Sequence, residues 1–171
     1  KKALTKQSCS SCNYSFTVPK LFANYVLQVI KANDEFSDTY NALNSAGKLC
    51  RLRVFNNLVS DSLHAQQALK LSIQKQQSVE SDHLVKIQNT FEHEDHFCIE
   101  YDFIKTSLKG HRQKEALSLD KSFELTLKLL HSYRDLVKND LVASNLKPST
   151  IAYVNETILF YDVELSWPAA L

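Results

Sequence analysis

From residue 25 onward the chain alternates apolar and polar side chains at the two-residue period of half-buried strands. The pattern predicts strands over residues 25–30, 38–43 and 49–55, with Asn44-Ser45-Ala46-Gly47 as the turn between the last two. The period then changes. Ser60-Asp61 offers an N-cap to a run with apolar positions at Leu63, Ala65, Ala68, Leu69, Leu71 and Ile73, which suits a helix to about Val79. Strands are expected again over 84–92 and 96–104, joined by a polar tip at Glu94-Asp95.

Residues 106–116 have a short helical tendency, and Asp120 is placed to cap a longer helix. On that helix Phe123, Leu127, Leu130 and Val137 fall near one face, which Leu129, Tyr133 and Leu136 widen. A tight loop at 145–148 leads into two short apolar runs, 151–154 and 157–161, split by Asn155-Glu156 as in a β-hairpin. This order of elements predicts an α+β domain with an antiparallel sheet covered by one helix and a helical element behind it.

Composition narrows the picture. A chain of 171 residues with 44% hydrophobic side chains is globular in type, and at this size a fold buries roughly 70% of its unfolded surface. Twenty basic against 19 acidic residues leave a formal charge of +1, so nothing global points to nucleic acid or an anionic surface. No apolar run approaches the length of a membrane span. The first 22 residues carry Lys1, Lys2, Lys6 and Lys20 with several serines, and the first acid is Asp34, which reads as a basic tail, solvated or partner-bound, or as the remnant of a targeting segment. The absence of methionine implies a processed, trimmed or incompletely read chain.

Two clusters invite a metal. Cys9 and Cys12 have ligand spacing, but a structural zinc site needs a second pair, and Cys50 and Cys98 sit singly in expected strands. Free thiols in an intracellular, reducing compartment, cytoplasmic or cytoskeletal rather than secreted, are the simpler reading. The run His93-Glu94-Asp95-His96 lies where a polar turn is expected anyway. No metal or other cofactor is assigned.

The chemistry lies in three stretches. HLVKIQNTFEHEDHFCIEYDF, residues 83–103, resembles the fourth and fifth strands of a protein kinase leading to its hinge. NLKPSTIAY, from residue 145, resembles the family's catalytic loop, His-Arg-Asp-Leu-Lys-Pro-x-Asn-Ile, and FYDVE, from residue 160, resembles the strand ending in Asp-Phe-Gly. The resemblance covers about residues 25–166. It implies a kinase-like N-terminal lobe over 23–104, an antiparallel five-stranded sheet plus one helix, and a truncated helical C-terminal lobe over 105–171, with 1–22 as the tail.

The same resemblance implies that catalysis is lost. Asn145 stands where the proton-accepting Asp belongs, and an amide is not a base. Thr150 replaces the Asn that holds a second magnesium, and Ala143-Ser144 replaces the preceding His-Arg. Lys147 is retained, as is Asp162 at the metal-binding Asp position, with Val163-Glu164 beside it. The three loop glycines fall near Ala32, Asp34 and Ser37, and acidic Asp34 and Glu35 would repel a nucleotide's phosphates.

Cys50-Arg51-Leu52-Arg53 takes the Val-Ala-Ile-Lys positions, so Arg53 stands for the lysine and Arg51 would fill the adenine pocket. Residues two apart share a strand face. The arginines therefore point together, either into the former cleft, where one could pair with Asp162, or onto an exposed polar face. The lysine's partner in the family is a helix glutamate, yet residues 62–79 contain no carboxylate.

The implied protein is a pseudokinase, a structural or scaffolding subunit of a larger assembly. An atypical ATP-binding kinase and an allosteric activator of an active enzyme are the alternatives. A kinase continues past the Asp-Phe-Gly position into helices that bury the long helix, whereas this sequence ends at Leu171. Further chain, or a protein partner on the 120–138 helix and the Trp167-Leu171 segment, is expected to cover that surface.

Overall fold

The structure, a computed structural model, describes residues 4–8, 15–33, 35–114, 117–143, 146–161 and 163–165. Its elements in chain order are β1 (Leu4–Ser8), β2 (Ser15–Phe22), β3 (Tyr25–Asn33), β4 (Ser37–Leu43), β5 (Leu49–Phe55), α1 (Asn57–Ser60), α2 (Leu63–Ser78), β6 (Ile87–His93) and β7 (His96–Asp102). They continue as α3 (Leu108–Lys114), α4 (Leu119–Lys138), β8 (Leu141–Ala143), β9 (Ile151–Val154), β10 (Thr157–Phe160) and β11 (Val163–Leu165). The architecture is mixed α+β. By contacts the chain divides into two compact units, one of Lys1–Asp61 with Ile87–Phe103 and one of Ser62–Lys86 with Ile104–Leu171.

The first unit is an antiparallel sheet in the order β1-β2-β3-β4-β5-β7-β6 among the described residues. The expected five strands are thus corrected: β2 to β7 form six paired strands, and β1 adds a seventh on the outer half of β2, Leu4 opposite Pro19 through Ser8 opposite Ser15. Lysines and serines disguised Ser15–Phe22 as a tail, although Phe16, Val18 and Phe22 keep a two-residue period.

The sheet curls. Bulges interrupt the β3–β4 register between Leu27 and Val29 and again between Ile30 and Ala32, and each bulge adds twist. As a result strands from opposite sides of the sheet meet across its interior: Tyr25 stacks on Phe91 with centroids 5.2 Å apart, and Phe22 meets His93 edge-on at 4.8 Å. The core inside the curl is Phe22, Tyr25, Leu27, Tyr40, Leu52 and Cys98 with their neighbours. One charged group lies within it. Buried Glu100 accepts from the Tyr25 hydroxyl at 2.8 Å and from the Asn44 amide at 3.0 Å. The Asn44 carbonyl oxygen in turn accepts from the backbone of Ala46 and Lys48, closing the β4–β5 turn in which Gly47 takes a positive φ of 70°.

In the second unit α2 packs on β11, α4 packs on β8 and β10, and α3 packs on β9. The helix expected to cover the sheet therefore groups with this unit. Its core is mainly aliphatic, Leu84, Leu108, Leu136, Leu141, Ile151 and Ile158 among others, with the Phe160 ring among them. Both long helices start one or two residues from where the sequence places them, with Ser62 in place of Ser60-Asp61 and Ser118 in place of Asp120 as the cap. Ser62 Oγ accepts from Ala65 N, and Ser118 Oγ accepts from Lys121 N, both at 3.3 Å. Asp120 sits instead in the first turn of α4, where a negative charge suits the helix dipole.

Candidate functional site

The loop that resembles a catalytic loop is built from the backbone inward. Lys147 to Thr150 form one helical turn, with Thr150 N and Ile151 N both donating to the Lys147 carbonyl at 2.9 and 3.2 Å. The Thr150 hydroxyl closes the same turn: it donates to the Lys147 carbonyl at 2.9 Å and accepts from Lys147 N at 3.2 Å. It is committed to local structure. Lys147 itself is exposed.

Beyond the turn, β9 and β10 form the hairpin read from the sequence, with Val154 opposite Thr157. Asn155 and Glu156 take positive φ of 47° and 64°, the conformation a two-residue hairpin turn of this hand requires. The loop is fastened on its other side by Lys109 N, which donates to the Pro148 carbonyl at 2.7 Å, and by Tyr153 N, which donates to the Thr106 carbonyl at 3.1 Å. Asn145 and Asp162, the two positions that would settle proton acceptance and metal binding, lie outside the described residues, as do Cys9, Cys12, Asp34 and Trp167 to Leu171.

In the sheet unit, Arg51 and Arg53 do share a face. They pair in register with Asn41 and Thr39 on one side and with Tyr101 and Ile99 on the other. Tyr101 and Ile99 are buried and both arginines are half-buried, so this is not a solvated polar face. Arg53 Nε donates to Ser37 Oγ at 2.7 Å, and its guanidinium lies 4.7 Å from the centre of the Phe55 ring. Its described interactions thus hold the β4–β5 pair together.

The segment aligned with the glycine loop is pinned as well. Asn33 donates to one oxygen of Asp38 and the Tyr40 hydroxyl donates to the other at 3.1 Å, while Asn56 ties down the Glu35 carbonyl at 2.6 Å. Burial and the adjacent Asp38 charge push the Tyr40 hydroxyl up to about 12. A phosphate-cradling loop needs backbone N–H groups open to an anion. Here side chains fill the turn with bonds of their own.

Each unit contains a cavity among its described residues. One of about 250 Å³ in the sheet unit is lined by Phe22, Leu27, Tyr40 and Val54 with Asp38 and His96. Of its polar groups, Asp38 accepts twice and His96 Nδ1 donates to the Phe55 carbonyl at 2.8 Å. The other, of about 460 Å³, lies between α3 and α4 and is lined by Leu108, Leu125 and Leu129 with Arg112. Among the described residues no group of three His, Cys, Asp or Glu side chains is placed to hold a metal ion.

Glu94 and Asp95 are a hairpin turn with φ of 48° and 62°. Cys50 and Cys98 are free and buried, and burial pushes both thiols up to about 12, with Glu100 adding to the shift at Cys50. Such thiols are poor nucleophiles. No described helix is long and apolar enough to cross a membrane. Comparison with protein-family models finds no match to the chain, and comparison with curated protein sequences finds none either.

The buried Glu100 cluster went unnoticed in the sequence. Its signal was present, because Glu100 stands two residues from Cys98 and so falls on the core face of its strand.

Proposed function

We propose that the chain is a catalytically inactive protein-kinase-like protein that serves as a structural subunit of a larger assembly. The reading is supported by the order of β3, β4 and β5, helix α2, and then β6 and β7 joined by a tight turn, which is the order the resemblance requires. The observation that carries the inactivity is α2. Its sixteen residues hold no acidic side chain, whereas the kinase family places on this helix the glutamate that phosphoryl transfer needs. Thr150 adds to this, since its hydroxyl is engaged within its own turn by one donated and one accepted bond.

The structural role is supported by α4, which keeps Phe123, Leu127, Leu130 and Val137 exposed while its other side lies in the core. Thermal denaturation with and without ATP and magnesium tests the inactivity. A nucleotide present at a hundred times its dissociation constant adds about 2.7 kcal/mol of stability. The expected result is no shift in Tm and no transfer of labelled phosphate; a shift, or transfer lost on Asp162→Asn, overturns the reading.

A further inference from the structure

We infer that the exposed apolar stripe of α4 is a self-docking surface, through which two copies of the chain pair as antiparallel α4 helices about a two-fold axis near Leu130. The pairing rests on the subunit role above only in taking this face as an interface, and it names the occupant.

Positions seven apart on a helix return to within about 20° of each other, so Phe123, Leu130 and Val137 fall on one line with Leu127 beside it. Their exposures are 67%, 57%, 45% and 42%. Leu129, Tyr133 and Leu136, which look like extensions of the same face in sequence, belong to the other side and join the aliphatic core. The helix thus has two apolar sides, and among the described residues only one is packed against the core.

A closed pair of identical chains uses the same patch on both copies, with residue i meeting j and j meeting i. With the axis at Leu130, that residue faces its own copy and Phe123 faces Val137. The large ring is set against a smaller branched side chain at both ends.

Charge selects the direction. Asp120 and Lys138 are about five turns apart at 3.6 residues per turn, so they lie on the same flank of the stripe, at opposite ends of it. Antiparallel pairing brings Asp120 of each copy toward Lys138 of the other, twice over. Parallel pairing puts the two Asp120 side chains on opposite flanks at one end and the two Lys138 at the other, so neither acid meets a base. Glu124 and Arg134 follow the same arrangement, acid toward the N-terminal half and base toward the C-terminal half, although Glu124 already holds Lys128 at 3.0 Å. A helix of 20 residues is about 30 Å long, and one such pair lies at the small end of stable interfaces, which bury about 1,000 Å² or more. The dimer is therefore weak and depends on concentration.

An acid near the start of a helix and a base near its end also suit the helix dipole, and the experiment separates the two causes. Sedimentation equilibrium of the full chain over a wide concentration range is expected to show a monomer–dimer equilibrium. Leu130→Glu, a change at an exposed position, should give a monomer with unaltered circular dichroism and Tm. Asp120→Lys and Lys138→Asp should each weaken dimerisation by about tenfold, and the double variant should restore it.

If the dipole alone explains the charges, the double variant is the worst of the three. A monomer at every concentration, a dimer untouched by Leu130→Glu, or a double variant no better than the singles overturns the pairing. Melting with ATP and magnesium on the same samples keeps the two proposals apart. A dimer that nucleotide stabilises supports the pairing and removes the inactive reading; a monomer indifferent to nucleotide does the reverse.

Discussion

The two units achieve burial by different means. The curled sheet encloses a mixed interior, in which stacked aromatic rings surround a carboxylate that receives hydrogen bonds from Tyr25 and Asn44. The helical unit has an almost wholly aliphatic core, in which Leu136, Leu141, Ile158 and Phe160 are nearly inaccessible. The first gains definition from directional bonds, because an orphaned donor inside it is costly. The second gains stability from packed volume, which is less particular about orientation. Injuries to the two should therefore differ in kind.

The largest expected loss is in the helical unit. Phe160→Ala removes a ring that is 2% exposed and should cost about 3 to 5 kcal/mol in a urea titration. Next comes Glu100→Leu, which leaves the Tyr25 hydroxyl and the Asn44 amide without their acceptor and should cost about 2 to 4 kcal/mol. Adding Tyr25→Phe should return part of that loss, whereas an effect that came only from packing would grow.

Alkali should then distinguish the units. Among the described residues the groups raised chiefly by burial, Tyr25, Tyr40, Cys50 and Cys98, lie in the sheet unit, whereas in the helical unit Lys128 is raised by its bonds to Glu124 and Glu156. A group raised on folding is protonated in both states below its unfolded value, so it leaves stability unchanged there. Above that value the unfolded chain sheds the proton first, and stability falls as pH rises.

For the two thiols the window runs from 9.0 to about 12, with a slope of up to about 1.4 kcal/mol per pH unit for each. Amide exchange measured at rising pH, corrected for its intrinsic rate, should show Leu52 and Ile99 losing protection before Ile158. Cys50→Ala should shallow the slope.

The smallest effect concerns one turn. Ala23 holds a φ of 49° between β2 and β3, so Ala23→Gly should stabilise by about 0.5 kcal/mol, read as a small rise in Tm.

Elements with a clear period and a turn at each end were legible in the sequence. The hairpin at Asn155-Glu156 is the best instance, because short apolar runs flank a pair of residues that accept positive φ. Strands β8 and β11 were missed, since three residues are too few to show any period. The N-caps slipped because Ser60, Asp61 and Ser62 are all good caps, and only the path of the chain selects among them; Asn56 caps the unexpected one-turn helix α1.

On α4 apolar residues occupy both sides, so hydrophobicity alone could not show which side faces inward. Among site residues, the arginine pair on one strand face followed directly from strand geometry. The engagement of Thr150 did not, because its hydroxyl is claimed by backbone groups that have no signature in side-chain chemistry.

That engagement limits what substitution can accomplish. The hydroxyl at position 150 bonds both the amide and the carbonyl of the residue three places before it, so it fastens that corner from two sides. Any side chain placed there must remake both bonds, or the corner that leads into β9 loses its fastening.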